Sequence, residues 1–249
     1  AHRAAPVQVS YHDGATSGLG EMDYWLTDGF LHPPDTKELF TEELQRLPVF
    51  YQYPPMEEAP PVGTLPTDKE GFVTFGSFNN PAKVNDEVIG LWAEVLKSVP
   101  GSRLLLKYKN WYAQESLQES LIKRFTTLGV GHDRVLFEAS PDTLMGHLRR
   151  YEMIDIALDP FPFNGATTTF QALWMGVPVI TLAGETFISR AAGSILHHVG
   201  LDDLTVDTPE AYVACARNLA GDIERLKKLR VELRGRGRSE EHTSELQSQ

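Results

Sequence analysis

At 249 residues, with 41% hydrophobic and 23% charged side chains, the chain is long enough for one large domain or one and a half smaller ones, and its globular composition excludes fibrous and disordered classes. A formal net charge of −11 excludes a nucleic-acid partner held mainly through its phosphates, which needs a basic face. The single Cys215 excludes a disulfide framework and Cys-rich metal sites and points to a reducing, cytoplasmic setting, and no run approaches the roughly 20 apolar residues that span a bilayer.

The chain starts at Ala1 with neither an initiator Met nor a signal peptide, so further sequence upstream is expected. PVQVSY (6–11) and MDYWLTD (22–28) read as strands, DTKELFTEELQRL (35–47) as a helix, and PVFYQY (48–53) as a strand. Residues 54–70, rich in proline and without period, read as a linker. From there the rhythm becomes regular. Strands are expected at 72–78, 102–108, 134–138, 153–159 and 178–182, and helices at 85–99, 114–129, 141–151, 167–176 and 189–200. A last helix is expected from Pro209 to Leu233. Such alternation predicts an α/β fold whose parallel sheet is covered on both faces, with ligands at the carboxyl ends of its strands. The closing RSEEHTSELQSQ (238–249) is polar and aperiodic, resembles translated adapter sequence, and is expected to be a non-native tail.

One stretch carries most of the chemistry. In DPFPFNGATTTFQALW the strand ends near Asp159, a loop with Pro160, Pro162 and Gly165 follows, and a helix opens near Thr167. Free backbone N–H groups then lie at the ligand edge of the sheet beside the hydroxyls of Thr167, Thr168 and Thr169, an arrangement suited to an anion. The plainer alternative is that Thr167 or Thr168 is an N-cap. The helix dipole contributes only about 0.3–1 kcal/mol, so a cation is expected nearby, and Lys83 in FGSFNNPAKV is the candidate. Asn79 and Asn80 read equally as turn residues. His147, followed by Arg149 and Arg150, is placed to meet a flat base and its edge, although each alone reads as a surface residue. His197 and His198 read as a helix end; Asp222, Glu224, Lys227 and Lys228 read as a solvated face. No Walker loop, Gly-x-Ser-x-Gly elbow or carboxylate pair supports an NTPase or hydrolase.

The segments RAAPVQVSYHDGATSGLGEMDYWLTD, FGSFNNPAKV and HLRRYEMIDIALDPFPFNGATTTFQALWMGVPVITLAGETFISR together resemble the catalytic region of the O-GlcNAc transferase and SPINDLY family, over nearly all of residues 1–236. The resemblance implies a GT-B fold, with residues 1–53 as the end of the first catalytic half and 71–237 as a complete Rossmann-like, nucleotide-sugar-binding half. It implies inverting transfer of N-acetylglucosamine from UDP-GlcNAc to protein Ser or Thr hydroxyls, with no cofactor and no metal, and with tetratricopeptide repeats elsewhere in the parent protein. By the same resemblance Lys83 contacts the donor diphosphate, with Asn80 where animal enzymes have glutamine. Gly165, Thr167 and Thr168 hold the phosphates, His147 stacks on uracil, Arg150 meets the base edge, and Gln171 stands where an acidic residue receives ribose hydroxyls. Ala166 replaces a phosphate-binding histidine, and His12 and Asp13 depart from the family's glycine and tyrosine in a loop near the acceptor. The implied partners are a nucleotide sugar and a protein or peptide acceptor, not nucleic acid or membrane. A GDP-fucose-dependent transferase of the SPINDLY type and a non-catalytic nucleotide-binding module remain as alternatives.

Overall fold

Why the ligand edge forms where it does follows from strand order. The computed structural model describes residues 3–11, 14–139 and 143–246, with side chains through residue 237. Their strands lie in two all-parallel sheets. The first contains β1 (Val9–Ser10), β2 (Tyr24–Asp28) and β3 (Glu43–Leu47), paired in that order. The second contains β4 (Thr74–Ser77), β5 (Arg103–Lys107), β6 (Val135–Glu138), β7 (Ile156–Leu158), β8 (Val179–Leu182) and β9 (Thr205–Val206). Its order is β6-β5-β4-β7-β8-β9, so the winding reverses between β4 and β7, the point where doubly wound sheets open a crevice.

The strands are short apolar runs because both faces are covered: Phe75, Leu104, Leu106, Ile156, Leu158 and Ile180 are all buried. The covering helices are α2 (Asp86–Ser98), α3 (Glu115–Thr127), α5 (Thr167–Trp174), α6 (Ala191–His198), α7 (Pro209–Gly221) and α8 (Ile223–Leu246), with the short α1 (Pro66–Glu70) and α4 (Leu144–Arg149) between strands. α2 packs on α3 and α7, while α5 packs on α6 and α8, giving the two layers that a reversal of winding requires. In α2 the buried Val88, Ile89, Leu91, Trp92, Val95 and Leu96 repeat at helical spacing, and Asn85 caps the start by accepting from the Val88 N–H at 2.9 Å.

Several expectations are corrected. Residues 35–47 do not form a helix; the segment ends in β3, in register with β2 from Tyr24 opposite Glu43 to Asp28 opposite Leu47. Its Glu, Leu and Gln favour helix in isolation, but pairing with a buried neighbour strand overrides that weak preference. Residues 48–53 form no strand: Pro48 has no N–H to extend the ladder, and Tyr53 instead stacks on Phe170 at 5.2 Å. The single helix expected from Pro209 is two, α7 and α8, broken at Asp222, whose carboxylate accepts from the Arg225 N–H at 2.9 Å. Asp222 is therefore a cap rather than part of an undifferentiated solvated face. α8 runs on to Leu246 and takes in most of the stretch read as aperiodic, whose Ser-Glu-Glu and Glu-Leu are compatible with helix. The region 54–70 includes α1, and β9 was not expected.

The first sheet is fastened to the second through α6 and the turn before it. The buried Asp28 accepts from the Phe30 and Leu31 N–H groups and from Ser194 Oγ at 2.6 Å, and His198 Nε2 lies 3.6 Å away. Burial alone would raise this carboxyl; the nearby His198 ring and the hydrogen bonds from Ser194 and Leu31 outweigh it and hold the pKa below the usual value. His198 is thus a tie between segments rather than a bare helix end. The Phe187 ring meets Trp25, His32 and Phe50 at 5.5–6.4 Å, and Arg190 Nε donates to the Phe30 carbonyl at 2.7 Å.

Candidate functional site

β4 ends at Ser77 and β7 at Leu158, the two strands that flank the reversal, and their extensions build the site. After β4 come Phe78, Asn79 and Asn80 and a 3-10 turn, Pro81–Lys83. After β7 come Asp159 and the loop to α5. Between them opens a cleft of about 1280 Å3 lined by Asn79, Asn80, Lys83, Lys107, His147 and residues 163–168, among others.

Gly165 lets this loop close. A Cβ there would collide with Thr168 Oγ1 and come within 2.7 Å of Asn79 Oδ1 and 3.0 Å of Asp159 Oδ1. Its N–H donates to Asp159 Oδ1 at 2.7 Å, and Thr181 Oγ1 donates to the other oxygen at 2.8 Å. Asp159 is buried, and burial pushes its pKa up to about 7 against the lowering effect of those hydrogen bonds and of Lys83. The Lys83 ammonium donates to the Asn164 carbonyl at 2.8 Å and sits 4.0 Å from the Phe163 ring centroid. Burial lowers its pKa, and the Asp159 carboxylate opposes that shift.

The N-cap of α5 is Ala166, not a threonine, and it offers no side-chain cap. The first intrahelical bond runs from Phe170 N–H to the Ala166 carbonyl, so the N–H groups of residues 166–169 precede the helix's own ladder. The threonines divide the work. Thr169 is buried and turns its hydroxyl back onto the Gly165 carbonyl at 2.7 Å; Thr168 donates to Asn79 Oδ1 at 2.9 Å while lining the cleft. Thr167 is exposed on the same wall. Asn80 caps the 3-10 turn by accepting from the Ala82 N–H at 3.0 Å and also lines the cleft, so its turn role and its site position coexist.

His147 and Gln171 come together at the other end. His147 Nε2 lies 3.1 Å from Gln171 Oε1, and its Nδ1 lies 3.1 Å from Lys107 Nζ, with Phe78 beside the ring at 5.8 Å. Arg150 is not brought to this group: its Nε is 3.4 Å from Glu138 Oε1, and it does not line the cleft. His12 and Asp13 lie outside the described residues, and Gly14 follows them onto the cleft wall. Sequence reasoning missed Asp159 and Lys107. Each was visible as a charged residue closing an apolar strand, ALD and LLLK, at the carboxyl edge of the sheet.

A reversal of winding with a glycine-built cleft at its carboxyl edge is the arrangement of a doubly wound, Rossmann-like domain, and the fold is that of GT-B glycosyltransferases. In fold alone the chain resembles sucrose-phosphate synthase from Thermosynechococcus elongatus, with a TM-score of 0.52 and 14% identity over 91% of this chain and 58% of that one. A Thermobaculum terrenum O-GlcNAc transferase mutant is far nearer, with a TM-score of 0.85 and 38% identity over 96% of this chain and 45% of that one. The Arabidopsis thaliana protein named Probable UDP-N-acetylglucosamine--peptide N-acetylglucosaminyltransferase SPINDLY is 42% identical over 93% of this chain and 26% of its own length. The family model for Glycosyl transferase family 41 matches residues 64–247. The chain belongs to glycosyl transferase family 41, and it spans about a quarter of the length of the curated relative just described. Among the described residues no helix is long and apolar enough to cross a membrane.

Proposed function

We propose that this cleft binds the nucleotide part of UDP-N-acetylglucosamine, and that the intact protein transfers the sugar with inversion to Ser or Thr hydroxyls of a protein acceptor, with no metal or other cofactor. In this reading residues 1–53 belong to the end of the first catalytic half, and 54–70 link it to the donor-binding half at 71–237. One observation carries it: the Lys83 ammonium and the uncapped first turn of α5 line one wall of the cleft. A diphosphate there accepts from backbone N–H groups and from the ammonium, and the same groups stabilise the charge that grows on the departing nucleotide. Gly165, Thr167 and Thr168 form the cradle, Asn80 its rim, and His147 with Gln171 the base and ribose end. Arg150 reaches the base edge only by leaving Glu138. The relatives' names support the donor and acceptor classes.

Titration calorimetry tests this. Saturable binding of UDP is expected, weakened about tenfold or more by Lys83→Ala, the loss that removing a charged hydrogen bond predicts. No saturable UDP binding, or binding indifferent to Lys83→Ala, would overturn the donor-site reading. Preference for GDP would redirect the donor to a guanosine diphosphate sugar.

A further inference from the structure

Lys107 has no part in the reading of the motifs, yet it ends β5 at the cleft and is 1% exposed. An ammonium carries donors and no acceptor. At 3.1 Å from His147 Nδ1 it makes that nitrogen the acceptor. The ring proton then belongs on Nε2, which donates to Gln171 Oε1 at 3.1 Å. With its oxygen committed toward the histidine, the Gln171 side chain, which also lines the cleft, has its amide N–H groups on the other branch. The relay therefore runs in one direction, from ammonium to imidazole to amide.

We infer that Lys107 is a positioning residue of the nucleotide site: it fixes His147 as the neutral, Nε2-protonated tautomer and so makes Gln171 a hydrogen-bond donor to the ribose. This rests on the cleft being a nucleotide site, but the relay itself is a property of the unliganded protein. A doubly protonated or an Nδ1-protonated His147 would set its Nδ1–H against an ammonium, two donors opposed across 3.1 Å. A ribose bound beside Gln171 is then held through its oxygens as acceptors, the reverse of what a carboxylate at that position does. The signal in sequence is Lys107, His147 and Gln171 on three successive units of the sheet, which only the strand order brings together.

Long-range proton–nitrogen correlation spectra of the histidine side chains, recorded at pH 7 without nucleotide and assigned through a His147→Gln variant, read the tautomer directly. Nε2 protonated and Nδ1 bare is expected in the wild type, and Lys107→Met should convert it to a mixture of tautomers and weaken UDP binding about tenfold. An Nδ1-protonated or doubly protonated His147 in the wild type, or the same tautomer in Lys107→Met, would overturn the relay. If Lys107→Met does not fold, Lys107→Leu serves in its place, and the wild-type spectrum decides without either. The expected spectrum with no UDP binding would sink the nucleotide reading and leave the relay standing; UDP binding with the wrong tautomer would do the opposite.

Discussion

Gly165 shows how much a single residue settles. Three oxygens, from Thr168, Asn79 and Asp159, crowd the space a side chain would need, and they belong to three different segments that meet only in the fold. Gly165→Ala is expected to cost about 1–3 kcal/mol, as overpacking in a filled site does, and to abolish UDP binding; an unchanged denaturation midpoint would show that the loop relaxes freely. The glycine and the threonines were legible because a glycine before a helix start at the ligand edge has a mechanism attached. The division among the threonines was not legible, because which hydroxyl turns to Asn79 and which to the helix backbone depends on contacts 89 and 4 residues apart in sequence. Arg150 shows the limit of spacing: it follows His147 closely in sequence, yet its Nε lies 3.4 Å from Glu138 Oε1, a pairing that spacing alone does not reveal.

At the level of elements, local signals succeeded where they were self-contained. The α2 segment carries both its cap and its apolar period, and Asn85→Ala should cost about 1 kcal/mol by leaving the Val88 N–H without its acceptor, a shift that thermal unfolding resolves. β3 failed because its sequence is helix-prone and its strand character comes from β2. Just before β3, Glu42 accepts from Thr16 Oγ1 at 2.5 Å and the Ser17 N–H at 2.8 Å, tying the loop after β1 to this strand. Burial pushes its pKa up, but the bonds from Ser17 and Thr16 prevail and bring it from 4.5 to about 2. A depressed carboxylate contributes stability that is present above the unfolded value and lost as pH falls through the folded one. Resistance to urea unfolding should therefore fall between about pH 4.5 and 2 more steeply in the wild type than in Glu42→Gln; parallel profiles would remove Glu42 from the account.

Among the described residues the two parallel sheets meet at an aromatic joint around Phe187, beside the polar ties of Asp28 and Arg190, and Tyr51, Phe187 and Ile188 there also line the cleft. Phe187 is 5% exposed and reaches Trp25, His32 and Phe50. Phe187→Ala should cost about 3 kcal/mol or more and speed amide exchange in β1–β3 while β4–β8 stay protected; uniform exchange across both sheets would mean that they unfold as one unit. The alternation of strands and helices made the second sheet legible from sequence. The joint was not, since Phe187 and Trp25 are 162 positions apart and neither carries a pattern.

Charge works at this scale too. The chain is acidic at −11, yet Lys83, Lys107 and Lys109 all line the cleft, concentrating positive charge where an anion would enter. A crystal structure of the UDP complex tests this most directly. The account predicts the diphosphate within hydrogen-bonding distance of Lys83 Nζ and of the N–H groups of Ala166, Thr167 or Thr168. A diphosphate held elsewhere, with Lys83 still on Asn164 and the α5 N-terminus untouched, would contradict it.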